Sequence, residues 1–193
     1  MTDVVLASNN PGKLKEFESL LPRLHLVNQS TLSVESIEES GLSFLENALL
    51  KARHAADKTG LAALADDSGL AVSALKGAPG IYSSRYAGAG ATDAENNRKL
   101  LAQMQGLEDR RACFCCALVY LRHSLDPVPL IGMGFWHGEL LEQPRGEEGF
   151  GYDPLFFLPQ LGKTASELSP AQKNRHSHRC IASEQLMQQL SEW

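Results

Sequence analysis

Leu64-Ala65-Asp66-Asp67-Ser68-Gly69-Leu70-Ala71-Val72 sets two adjacent acids and a Ser-Gly pair between two short apolar runs. Residues 61–65 have the length and character of a buried strand, which puts Asp66 and Asp67 at its end. Side chains alternate along an extended chain, so the two acids point in different directions. One can face a cleft while the other faces the supporting structure. Gly69 lets the backbone turn or approach a ligand closely. An acid in that position suits a metal or a general base. An Asx-turn between strands, which Asp-Ser-Gly also makes, is the competing reading, and these residues leave both open.

Upstream, residues 4–7 read as a buried strand. Ser8-Asn9-Asn10-Pro11-Gly12-Lys13 follows, and then a helix from Lys13 to about Leu21 with Leu14, Phe17 and Leu21 on one face. A strand, a polar glycine-containing loop and a helix N-terminus offer backbone N–H groups and a lysine to a phosphate. A plain strand-to-helix turn has the same pattern. Gly-Lys-Thr at 162–164 lacks the upstream glycine of a P-loop, because Phe157 stands there, and is set aside. Residues 24–27 form a second strand, and Glu35, Glu38 and Glu39 an acidic loop. Ser43 and Glu46 make a capping box for a helix ended by Gly60, with Phe44, Ala48, Ala52 and Ala55 as its apolar stripe. Asn47 and Lys51 share a face one turn apart; they can hold phosphate or acid groups, although surface solvation is the simpler account.

Downstream, residues 70–75 continue as strand and Gly77-Ala78-Pro79-Gly80 turns. Residues 82–88 form a polar, aromatic loop. Thr92 and Glu95 cap a helix that stops at Gly106. Residues 112–121 are too apolar for an exposed strand, and residues 130–140 pair with them, interrupted by glycines at 132, 134 and 138. The loop 146–154 carries glycines with Phe150 and Tyr152, suiting a backbone that closes on a flat ligand with a ring to stack on it. Residues 155–158 are a strand. Ser169-Pro170-Ala171-Gln172 starts a helix, and Lys173, Arg175, His176, His178 and Arg179 make the most basic segment, read structurally as charge near a helix C-terminus. The last helix places Ala182, Leu186, Leu190 and Trp193 on one side. Helices alternate with strands early and strands pair with each other later, so the fold is α/β with a mixed sheet.

The 193 residues make one domain, 1–193, with the option of two lobes. A net charge of −5 carries no basic footprint, which argues against a long nucleic-acid partner. Residues 113–121 are the longest apolar run and too short to span a bilayer. With no basic n-region or cleavage site at the start, no signal peptide is expected. Cys113, Cys115 and Cys116 lie in one strand-like run and Cys180 elsewhere. They are expected to be buried structural thiols in a reducing cytoplasm; a Cys-x-Cys-Cys metal site lacks a second ligand pair.

Taken together these are parts of a nucleotide-phosphate site. Ser8 to Lys13 with Glu16, Glu39-Ser40-Gly41 with Phe44, Asn47 and Lys51-Ala52, Ala65-Asp66-Asp67-Ser68-Gly69-Leu70, Gly80-Ile81-Tyr82-Ser83, Gly149-Phe150-Gly151-Tyr152-Asp153-Pro154 and Ser177-His178-Arg179 together resemble the Ham1/RdgB family of inosine/xanthosine triphosphate pyrophosphatases. The resemblance implies hydrolysis of ITP, dITP and XTP to the monophosphate and pyrophosphate. It also implies Mg²⁺ (one or more ions per subunit), a cytoplasmic homodimer, and an elongated two-lobed α/β fold around a mixed, twisted sheet with the site in the cleft between lobes.

By motif position the resemblance implies that Asp67 is the water-activating acid and a metal ligand, and Glu39, ahead of Glu38, the second metal ligand. Ser8, Asn9, Asn10, Pro11, Gly12, Lys13, Ser68 and Lys173 hold phosphates and nearby sugar groups. Phe150, Gly151, Tyr152 and Asp153, with His178 and Arg179, surround the base. Donors from His178 or Arg179 would suit the 6-keto group of hypoxanthine or xanthine and be left unpaired by adenine. Cys180 stands where the family usually has glycine, and Glu147 and Glu148 make the 146–149 stretch unusually acidic, so both must point outward. A non-catalytic nucleotide-binding protein on the same fold is the alternative. Asp67-Ser68-Gly69 also fits an aspartic-protease signature, but the all-β pattern is missing.

Overall fold

A computed structural model describes residues 3–192. A mixed seven-stranded sheet runs in the order β2-β1-β3-β4-β5-β6-β7. Its strands are β1 (Asp3–Leu6), β2 (His25–Asn28), β3 (Ala62–Val72), β4 (Arg111–Leu121), β5 (Leu130–Leu140), β6 (Phe156–Leu158) and β7 (Lys163–Thr164). The helices are α1 (Pro11–Leu20), α2 (Phe44–Thr59), α3 (Asp93–Gln103), α4 (Pro170–Lys173) and α5 (His178–Leu190). β1 pairs in parallel with β2 and with β3, whereas β5–β6 and β6–β7 are antiparallel. The α/β expectation therefore holds. Trp193 lies outside the described residues.

The chain divides into two compact units, one of residues 1–67, 116–134 and 178–193, the other of 68–115 and 135–177. In the first unit the alternation of the strands sorts the core into two layers. Val4, Leu6, Leu64, Cys116 and Leu118 meet Phe17 and Leu21, at α1 and its end, and Ala182 and Leu186 of α5. Val5, Ala7, Ala63, Ala65, Ala117 and Val119 meet Ala48, Ala52 and Ala55 of α2. The α2 contact is built from alanines on both sides, so that helix comes close to the sheet. Ser43 caps it and Gly60, at φ +68°, ends it. α5 comes close to β5. A Cβ built on Gly132 would lie 2.0 Å from the Ala182 carbonyl oxygen, and one on Gly134 1.8 Å from that of His178. Those two glycines, which read as interruptions in a strand, are the contact surface for a helix.

The second unit packs Leu70, Val72, Phe114, Trp136, Phe156 and Leu158 with Leu100 and Met104 from α3 and its end. Phe156 lies 4.6 Å from Phe114 and 5.3 Å from Trp136, ring centre to centre. Thr92 and Glu95 close the capping box at α3.

Three expectations change. β3 does not stop before the acids: it runs through Asp66, Asp67, Ser68 and Gly69 without a turn. Gly69 is needed for a close approach within the protein, because a Cβ there would sit 2.4 Å from Ser83 Oγ. That hydroxyl accepts the Leu70 N–H at 2.9 Å and donates to the Gly80 carbonyl at 2.6 Å. β3 ends at Val72, and residues 73–75 form a 3-10 turn. The basic segment is not one helix end. Lys173 closes the single turn of α4, while His178 and Arg179 open α5.

Candidate active site

Because β3 stays extended, the pleat alone decides where its two acids go. Asp66 follows Leu64 onto the α1/α5 face, and Asp67 follows Ala65 onto the α2 face.

Asp66 is 1% exposed. Lys13 Nζ lies 3.0 Å from its Oδ1 and Arg179 Nε 3.6 Å from its Oδ2. Arg179 Nη1 donates to Glu16 Oε2 at 2.9 Å. The result is a row of alternating charge, Lys13–Asp66–Arg179–Glu16, across α1, β3 and α5. Burial alone would push the Asp66 carboxyl up, but the charges of Lys13, Arg179 and Lys51 hold it well below the usual carboxylate range. Arg179, also buried, is held firmly protonated by Glu16 and Asp66. A cation in the first turn of α5 opposes the helix dipole, and the two carboxylates offset that.

Asp67 has different surroundings. Its Oδ2 accepts from Asn47 Nδ2 at 3.1 Å and its Oδ1 from Lys51 Nζ at 3.2 Å. Lys51 Nζ also donates to Glu39 Oε1 at 2.7 Å. Asn47, fully buried, takes the Gly41 N–H on its Oδ1 at 2.8 Å and so ties the Glu39 loop to the strand. Burial pushes the Asp67 carboxyl up, Lys51 pulls it down, Glu39 pushes it up again, and the balance stays above the usual carboxylate value. Burial would depress Lys51, but Asp66, Asp67 and Glu39 outweigh it and keep the ammonium charged. Asn47 and Lys51 are therefore not simply solvated: Asn47 is buried, Lys51 half-buried, and both bond Asp67.

Among the described residues no three His, Cys, Asp or Glu side chains are set to hold a metal by themselves. Glu39 and Asp67 nevertheless fit a hard cation. Both present carboxylate oxygens, and one cationic centre, the Lys51 ammonium, already stands against both. Mg²⁺ characteristically takes one or two carboxylates and completes its shell with water and phosphate oxygens.

The loop before α1 is more self-contained than its sequence suggests. Asn10 Oδ1 accepts the N–H groups of Gly12 at 2.8 Å and Lys13 at 3.3 Å, and Ser8 Oγ accepts that of Asn10. The Asn9 side chain is held between Ser36 and Gln29. Pro11 opens the helix. A phosphate that takes the Gly12 and Lys13 N–H groups must displace the Asn10 carbonyl. Ser68 follows Asp67 in β3, half-buried.

In the second unit Asp153 organises the 146–154 loop. Its Oδ2 accepts the Phe150 N–H at 3.0 Å and pairs with Lys173 Nζ. Gly149, at φ +83°, has no room for a side chain beside that oxygen. Gly151 donates its N–H to Asp93 and accepts from Asn97. Tyr152 is buried, and its hydroxyl donates to the Ser83 carbonyl at 2.8 Å. Phe150 is 47% exposed, with Lys173 Nζ 5.0 Å from its ring centre. Glu147 and Glu148 are exposed, as expected. His178 is buried at the start of α5.

The sequence assignments thus fall into groups. Glu39 joins Asp67, and Lys13 joins Arg179 through Asp66. Phe150, Gly151, Tyr152, Asp153 and Lys173 form one cluster. Lys51 and Asn47 were underweighted, although their spacing of four residues on a capped helix was the signal. Glu16 had no assigned task; it lies 163 residues from Arg179 in the chain, and no local pattern links them.

Residues 4–189 match the model of the Ham1 family. The dITP/XTP pyrophosphatase of Pectobacterium atrosepticum is 59% identical over 183 residues, 93% of each chain. That of Nitrosomonas europaea is 55% identical over 194 residues, covering 100% of this chain and 96% of its own. Among solved structures, a HAM1 protein from Coxiella burnetii superposes with a TM-score of 0.95 at 50% identity, with all of both chains covered.

Proposed function

The chain belongs to the Ham1 family, and from that we propose that it hydrolyses dITP, ITP and XTP to the nucleoside monophosphate and pyrophosphate. The reaction removes non-canonical purines from the nucleotide pool. The observation that supports a catalytic site most is the split between Asp66 and Asp67. Two neighbouring carboxylates have their proton affinities driven in opposite directions, as in sites where one acid anchors and the other moves protons.

In this reading Asp67 accepts the proton of the attacking water. A base needs an affinity raised enough to hold that proton and an ionised fraction large enough to start. Burial and Glu39 supply the first, and Lys51 the second. Glu39 and Asp67 would hold Mg²⁺, which supplies charge neutralisation on the phosphates and polarisation of the phosphorus. Lys13, fixed by Asp66, presents its ammonium beside the Ser8–Gly12 loop to bind phosphate oxygens, and Lys173 serves the same chemistry in the second unit. Phe150 offers a ring for the purine to stack on. His178 and Arg179 supply donors that a 6-keto group satisfies and a 6-amino group does not. A homodimer and a cytoplasmic location belong to the same proposal.

The test is pyrophosphate release with Mg²⁺ across dITP, ITP, XTP, dATP and dGTP, for the native protein and Asp67→Asn. Turnover of the hypoxanthine and xanthine nucleotides but not of dATP, lost in Asp67→Asn while dITP still binds, is the expected result; guanine shares the 6-keto group, so rejection of dGTP requires a separate contact at its 2-amino group. Turnover within a few fold of native in Asp67→Asn would remove Asp67 as the base.

A further inference from the structure

The Cys-x-Cys-Cys run takes no part in the hydrolysis described above, and it does not behave as three equivalent buried thiols. Alternation along β4 separates it. Cys116 points into the first-unit core beside Asp66, where burial pushes its thiol far up. Cys113 and Cys115 share the opposite side of the strand from Phe114, the side away from the aromatic core. Their Sγ atoms stand 3.9 Å apart, with the Cys115 thiol directed at Cys113 Sγ. Cys113 is half-buried, in contrast to Cys116 and Cys180. It lines a cavity of about 550 Å³ together with Lys76, Arg111 and His137, and Arg111 pairs with Asp109 at 2.8 Å.

Accessible thiols with a second thiol in reach are the ones that oxidise. The Cys115 hydrogen bond draws Cys113 below the ordinary thiol range despite partial burial, whereas burial pushes Cys180 up to about 11. A rise of about 3.3 Å per residue sets the two Cα atoms about 6.6 Å apart, inside the upper limit of about 6.8 Å for a disulfide. Closure needs the sulfurs to approach and the two Cβ atoms to come within about 4.5 Å of each other, so β4 must bend locally at Phe114.

We propose that Cys113 and Cys115 form a modification site for hydrogen peroxide that closes to a disulfide within β4. The Cys113 thiolate attacks the peroxide: an S–O bond forms, the O–O bond breaks, and the departing oxygen leaves as water after taking a proton. The Cys115 sulfur then attacks Cys113 sulfur. The S–S bond forms, the S–O bond breaks, and the hydroxyl leaves as water with the Cys115 proton. Two thiols are oxidised by two electrons and one peroxide is reduced to two waters. So small a ring gains little from loop closure, so glutathione should reopen it.

The experiment treats the reduced full chain with hydrogen peroxide, alkylates the remaining thiols, and maps the tryptic peptide that follows Arg111 and ends at Arg122. The expected product lacks two hydrogens, carries its one alkyl group on Cys116, and reverts with glutathione. In Cys115→Ser the intermediate has no partner, so dimedone should label Cys113. A peptide still alkylated at all three cysteines when Cys180 has already reacted would overturn the proposal. So would a disulfide that includes Cys116, or a Cys115→Ser chain that dimedone labels elsewhere but not at Cys113.

Discussion

Asp66 and Asp67 are bonded to each other in β3 and sit in opposite electrostatic surroundings. Asp66 lies 3.0 Å from Lys13 and 3.6 Å from Arg179, while Asp67 shares Lys51 with Glu39 and keeps a raised proton affinity. The same conservative change at the two positions should therefore give opposite results.

At Asp67, Asn removes the proton acceptor and with it turnover, by about 10²–10⁴-fold. It should also stabilise the fold. A carboxyl whose folded pKa is raised costs stability once the pH exceeds its unfolded value, near 4. The cost grows until the pH passes the folded value and then stays constant. Thermal melts should place Asp67→Asn above the native protein at neutral pH, and the gap should close as the pH falls below about 4.

At Asp66, Asn leaves buried Arg179 and half-buried Lys13 short of a carboxylate and should cost about 3–5 kcal/mol. Here the folded pKa is depressed, so the stabilisation is complete above the unfolded value and is lost as the pH falls toward the folded one. Urea unfolding at neutral pH should show the full loss.

Lys51→Met should move the acid limb of the kcat/KM profile to higher pH, because Lys51 is the charge that pulls Asp67 down. The activity lost at neutral pH should return in part on raising the pH. An unmoved limb would mean that Asp67 is not the titrating base.

Magnesium should raise the melting temperature of the native protein in the absence of nucleotide, and less so in Glu39→Gln, which keeps the shape but loses the charge of one proposed ligand. Chelation should abolish pyrophosphate release and leave the metal-free melt unchanged.

Gly134→Ala tests the seat of α5. Its Cβ would fall 1.8 Å from the His178 carbonyl oxygen, so the helix must shift, and a drop in stability of several kcal/mol is expected. Melts combined with the kinetics of the shifted His178 and Arg179 would read both effects.

Most of the fold was legible because it is written locally. The Ser43 N-cap, whose Glu46 carboxylate takes the Leu42 N–H rather than closing a box, and the capping boxes at Thr92 and Ser169 fix three helix starts, and the apolar runs at 112–121 and 130–140 give β4 and β5. Asp-Asp-Ser-Gly carries turn chemistry in the sequence, while the strands β1 and β4 that flank β3 and the cations of α1, α2 and α5 that pair with its acids are distant in the chain. Asn47 and Lys51 were misjudged for a related reason. A helix shows its spacing in sequence, but not that an alanine stripe brings it near enough for polar neighbours to be drawn inside. The phosphate loop was located by its pattern, yet Asn10 capping its own helix depends on side-chain direction. The residue roles that followed the family resemblance were not readable from spacing at all.

The alanines of α2 have a consequence for how this site can vary over time. Ala48, Ala52 and Ala55 pack with Ala63, Ala65 and Ala117 in one cluster, all of them fully buried. A change to valine or leucine would look harmless by hydrophobicity, but it would lift the helix from the sheet and carry Asn47 and Lys51 away from Asp67. The acid cluster is thus guarded by residues with no chemistry of their own, and drift on that face should silence the protein while every polar member of the site is still in place.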